Sequence, residues 1–114
     1  MIKDITYYQH CIEWQIFDRK SIRIALKDLA ILLCAFANAD GGDVVIGIED
    51  NGEITGVDNA MDKVNELQRV ALDYCVPSIL STSQLLPVID SKGRDNHVLL
   101  IQVQPSMVVH ATQA

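Results

Sequence analysis

Ala35-Phe36-Ala37-Asn38-Ala39-Asp40-Gly41-Gly42 runs straight into Asp43-Val44-Val45-Ile46-Gly47-Ile48-Glu49-Asp50-Asn51-Gly52, and this stretch decides the fold. Its first part is the end of a helix. Glycine takes the left-handed conformation beyond a helix C-terminus cheaply, so Gly41-Gly42 is a stop. The Val-Val-Ile-Gly-Ile run that follows is β-branched and lacks polar alternation, which predicts an interior strand. Asn51-Gly52 then predicts a type I′ hairpin turn into Glu53-Ile54-Thr55-Gly56-Val57. A helix, an interior strand and a hairpin in that order predict a sheet with helices on it.

Upstream, Ile22, Ala25, Leu26, Leu29, Leu32, Leu33 and Phe36 follow 3/4 spacing behind Ser21, a good N-cap. Ile24, Ile31 and Ala35 form a weaker second ridge, a candidate homodimer contact. Asp18-Arg19-Lys20-Ser21 reads as a charged turn. Before it, Ile12, Trp14 and Ile16 alternate with Glu13 and Gln15, the period of a half-buried strand ending at Phe17. Downstream, a second helix is expected at about 60–75, capped by Asp58 or Asn59 and ended by Pro77. Its core stripe is Val64, Leu67, Ala71, Tyr74 and Cys75. Gln84–Asp90 and His97–Gln104 are two further strands around the polar loop 91–96, with Pro87 placing its strand at an edge or a bulge. The order β-α-β-β-α-β-β makes the class α+β, with a mixed, largely antiparallel sheet and two helices. The whole of 1–114 reads as one domain, the N-terminal excerpt of a longer protein.

The charge is uneven. Of the formal −6, a net −5 lies in residues 41–60, which hold Asp43, Glu49, Asp50, Glu53 and Asp58 and no Lys or Arg. A uniformly basic nucleic-acid coat is excluded. The longest apolar run, Leu29–Ala37, is nine residues, whereas a membrane span needs roughly 20. No secretory signal opens the chain. Cys11, Cys34 and Cys75 are odd in number and widely spaced, which points to reduced thiols and a cytoplasmic location. Cys34 and Cys75 read as core. His10, His97 and His110 show no metal spacing. The glycines of Gly41-Gly42-x-x-x-x-Gly47 leave a helix and enter a strand, so they are not a phosphate-binding loop.

The segments Ala35–Gly42, Ile46–Gly52 and Gly56-Val57 resemble the Schlafen-type, AlbA-like DNA-binding domain family, also called divergent AAA. Glu13-Trp14-Gln15, Pro77 and Val103-Gln104-Pro105-Ser106 extend the resemblance over roughly residues 12 to 110. It implies a nucleic-acid-associated module, DNA or RNA being the partner, of the kind found at the N-terminus of bacterial transcriptional regulators. In animal members the related core cleaves RNA with acidic residues. Glu13 and Asp50 match two of those positions and would be both the catalytic and the metal-binding pair. The third, five residues before Glu13, is Tyr8, and the lysine after Glu-aromatic is Gln15. Both departures count against a nuclease, so no cofactor is expected outside that alternative, which would need Mg²⁺ or Mn²⁺.

Two constellations follow from the residues themselves. Glu13, Asp43, Glu49 and Asp50 could gather at one sheet edge and hold a divalent cation; solvated turn acids are the plain alternative. Arg19, Lys20, Arg23 and Lys27 form a basic group at the first helix start, with Arg23 and Lys27 an i,i+4 pair. They are the candidate phosphate contacts, against a solvated face offset by Asp18 and Asp28.

Overall fold

The computed structural model describes residues 17–112. Strand β1 (Phe17–Lys20) is followed by helix α1 (Leu26–Ala37) and strand β2 (Gly42–Ile46). A 3₁₀ turn (Asp58–Ala60) leads into helices α2 (Met61–Gln68) and α3 (Val70–Asp73). Strands β3 (Cys75–Val76), β4 (Ser81–Ile89), β5 (Asp95–Val103) and β6 (Ala111–Thr112) complete the described chain. The main sheet has the order β1-β2-β5-β4, and β3 pairs with β6 in a second, two-stranded sheet. Only β1–β2 is parallel, joined through α1; β2–β5, β4–β5 and β3–β6 are antiparallel. The fold is α+β with a mixed, largely antiparallel sheet.

The unbroken apolar run of β2 is explained by burial on both faces. Val44 and Ile46 join Leu99, Ile101 and Val103 beneath Leu29, Leu33 and Phe36 of α1 and Val64 and Leu67 of α2. Val45 points the other way, into a second cluster with Phe17, Ile48, Ile54, Val88, Val98 and Leu100. Pro87 lies in β4, an edge strand of the main sheet, opposite His97. Within the main core the Cys34 and Cys75 Sγ atoms lie 3.5 Å apart, both thiols free and buried. Burial, then the hydrogen bond with Cys34, pushes the Cys75 thiol up to about 12. Cys11 and His10 lie outside the described residues.

Five local expectations are corrected. Asp18–Lys20 is strand, not turn: its backbone pairs with Val44–Ile46, a partner its polar composition does not announce. The first helix starts at Leu26, not after Ser21. The Ser21 Oγ instead accepts from the Arg23 N–H, and the Ile22 carbonyl is taken by Lys63 Nζ at 3.2 Å. Ala25 is extended, with ψ 147°. The Asn51-Gly52 turn is not type I′, because no non-glycine residue among those described has positive φ. Gly52 N–H donates to Glu49 O and Glu49 N–H to Glu53 O, the pattern of a type I turn with a glycine bulge. The expected strand 53–57 shrinks to one bridge, Ile48 to Ile54. The helix expected at 60–75 breaks at Arg69 and ends at Asp73, and no side chain caps its start. Asp58 faces His97 Nδ1 at 2.9 Å instead.

Gly41 has φ 81°, and its N–H donates to Phe36 O. A Cβ there would strike the Val103 carbonyl and Pro105, so the helix end packs directly on the chain leaving β5. Asn38 continues that contact. Its Oδ1 accepts from the His110 N–H at 2.8 Å and its Nδ2 donates to His110 O at 3.0 Å. The buried His110 ring reaches Pro77 O through Nδ1 at 2.6 Å and Ser106 Oγ through Nε2 at 2.7 Å. Asn38, Gly41 and Ser106 of the quoted motifs therefore share one task, fastening the C-terminal segment to the end of α1.

A second polar hub lies under the β4–β5 loop. Buried Asn96 accepts through Oδ1 from the N–H groups of Val57, Asp58 and His97, and donates through Nδ2 to Asp90. The Arg94 N–H, the Asn96 amide, the Lys92 N–H and the Arg94 charge outweigh burial and hold the Asp90 carboxyl at about 2, below its ordinary 3.8. A depressed carboxylate stabilises the fold above its ordinary value, and that contribution is lost as pH falls towards 2. Asp90→Asn is therefore less stable than the parent at pH 7, and the gap closes on acidification, as read by urea denaturation at stepped pH. A gap that persists at about pH 2 would show that ionisation is not what Asp90 contributes.

Candidate functional site

The strand β1 and the run from β2 to Ile48 both end beside the start of α1. Lys20 O accepts from the Gly47 N–H at 2.8 Å, which holds the two strand ends together. The chain then turns outward on both sides. Lys20, Ser21, Arg23 and Ile24 form one wall of a cleft of about 270 Å³, and Glu49 and Asp50 form the other.

The cleft is polarised. Glu49 is its organising residue: one carboxylate oxygen accepts from Arg23 at 2.8 Å and the other from the Thr55 hydroxyl at 2.9 Å. Thr55 is itself fixed, its N–H donating to Gly47 O at 2.9 Å. Glu49 is mostly buried while the Arg23 side chain is 76% exposed. The guanidinium is thus tethered at one edge and open to solvent over the rest, with donors left for a ligand. Lys20 pairs with Asp18 at 3.3 Å. Asp50 is exposed at the turn.

The four cations do not form one patch. Lys20 and Arg23 line the cleft, and Lys27 is exposed in the first turn of α1. Arg23 precedes the helix, so the expected i,i+4 relation to Lys27 does not exist. Arg19 alternates with Lys20 along β1 and lies on the opposite sheet face, its guanidinium 5.8 Å from the centre of the Phe17 ring. The acids are divided as well. Asp43 is the second residue of β2, at the far end from the cleft, buried and 3.5 Å from the Gln102 amide. Glu13 lies outside the described residues. Among the described residues no three His, Cys, Asp or Glu side chains converge as a metal site. The acidic turn and the basic helix start, separate in the sequence reading, face each other across one cleft. Sequence reasoning missed Thr55 and the Arg23–Glu49 pair, because a 26-residue separation leaves no periodic trace.

The ridge expected from Ile24, Ile31 and Ala35 is also rearranged. Ile24 lies before the helix and packs partly on the core, whereas Ile31 and Ala35 are exposed. With Asp18, Lys20, Asp28 and Leu32 they line a groove of about 420 Å³. Among the described residues no helix is long and apolar enough to cross a membrane.

Comparison with protein families matches residues 13–114 to the family described as Schlafen, AlbA_2. The match takes in the helix end, the strand with its acidic turn, and both walls of the cleft.

Proposed function

From the chain's membership of the Schlafen, AlbA_2 family, we propose that this domain is a nucleic-acid-binding module, the DNA-contacting part of a bacterial transcriptional regulator. The observation that carries the reading is the solvent-facing Arg23 guanidinium, tethered by Glu49 beside Lys20 at the cleft and followed by Lys27 on the helix. A planar donor held at one edge meets a phosphate with little ordering cost. Lys20 and Lys27 add charge without sequence readout, so they position the backbone rather than read bases. Three such contacts predict weak binding with a log–log salt slope of about −3.

Fluorescence anisotropy at low salt with short duplex DNA and single-stranded RNA checks this. Lys20→Ala/Arg23→Ala/Lys27→Ala should weaken binding at least about tenfold and flatten the salt slope. Arg19→Ala, on the other sheet face, should change little. Glu49→Gln keeps an acceptor for the guanidinium but removes a negative charge from the cleft wall, and should tighten binding. Absence of binding at high micromolar protein, or a triple variant that binds like the parent, overturns the reading.

A further inference from the structure

We propose that the domain self-associates through an uncharged apolar patch built from the chain around β3 and the segment that follows β5. No Lys, Arg, Asp or Glu falls in residues 74–89 or 96–114. The fold brings these two segments together. Cys75 and Val76 pair with Thr112 and Ala111, the Gln104 N–H donates to Leu80 O, and His110 Nδ1 reaches Pro77 O. The Ser78 hydroxyl donates to Leu72 O, so the patch borders the end of α3, where Arg69 pairs with Asp73 outside it.

On this surface Val76, Leu80, Met107, Val108 and Val109 are all half or more exposed. Their exposed area is on the order of several hundred Å², the size at which the largest patch of a monomer is often functional. A standard interface takes about 800 Å² from each partner, so the patch is sized to form the apolar centre of such a contact.

The charge pattern selects the occupant. A phosphate backbone or a charged peptide finds no counter-charge here. A second copy presents the same uncharged patch, and an isologous, two-fold contact brings no like charges face to face although each chain carries −6. The exposed charges of the described residues lie outside this patch and keep the pair soluble. This contact is distinct from the Ile31 groove on α1, and it leaves the Lys20–Arg23 cleft out of the interface residues.

Sedimentation velocity of the full chain, from low micromolar to several hundred micromolar, tests the proposal. A concentration-dependent monomer–dimer equilibrium is expected. Met107 and Val109 are 101% and 81% exposed, so Met107→Asp/Val109→Asp should fold normally by circular dichroism and weaken the dimer at least about tenfold. Leu80→Asp, 73% exposed on the other segment, should do the same by itself. Ile31→Asp should leave the equilibrium unchanged. A chain that stays monomeric throughout, a dimer indifferent to the patch variants, or one abolished by Ile31→Asp overturns the proposal.

Discussion

Gly56→Ala is expected to lower the melting temperature by about 15 °C, at roughly 4 °C per kcal/mol for a domain of this size. Gly56 has φ 75°, where an L side chain costs about 1–3 kcal/mol. The added methyl would also occupy the space of the Asn96 side-chain amide. That amide satisfies the N–H groups of Val57, Asp58 and His97 and anchors Asp90. Pushing it aside strands buried donors at about 1–3 kcal/mol. The combined loss is about 3–4 kcal/mol. Gly93 separates the two effects. Its φ is 77° and nothing lies within 4 Å of an added Cβ, so Gly93→Ala should cost only the backbone share, about 1 kcal/mol. Thermal unfolding followed by circular dichroism measures both. Equal, small shifts would mean that the Asn96 hub gives way without penalty.

His110→Ala is expected to cost about 3 kcal/mol in urea denaturation. The ring is buried and spends both nitrogens, on Pro77 O and Ser106 Oγ. Its removal leaves a cavity and an unmatched carbonyl together. The loss should not add to that of Asn38→Ala, since Asn38 grips the backbone of the same residue. A double-mutant cycle should return a coupling of at least about 0.5 kcal/mol. Hydrogen exchange should show the β3–β6 pair opening first in His110→Ala. A loss near zero would assign the clamp to surface decoration.

The parts of the fold legible in the sequence are those with local signatures. The helix end at Gly41, the doubly buried strand at Val44–Ile46, the β4–β5 hairpin and the edge position of Pro87 each follow from a few adjacent residues. The family could be read from the motif run. What escaped depends on partners far along the chain. Asp18–Lys20 is strand because of Val44–Ile46, and the helix begins late, after an extended Ala25, with the Ile22 carbonyl accepting from Lys63 instead of from the helix backbone. The candidate site was legible in its residue types and not in its arrangement. Lys20, Arg23 and Asp50 do meet at one cleft, Arg19 and Asp43 do not, and Glu49 proved to be the residue that holds the cleft in order.

The clamp between Asn38 and His110 has a consequence for how the molecule comes into being. The two residues are 72 positions apart, and β5, the strand that sits between β2 and β4, is the penultimate one described. During synthesis, β1, α1 and β2 emerge first and have no antiparallel neighbour until the stretch 95–103 follows. The end of α1 then stays unfastened until residue 110 arrives. Non-local closure of this kind is slow and leaves apolar surface open meanwhile. From residue 46 to residue 103 the growing chain therefore holds a half-finished sheet, and assembly completes only once the last described strands have left the exit tunnel.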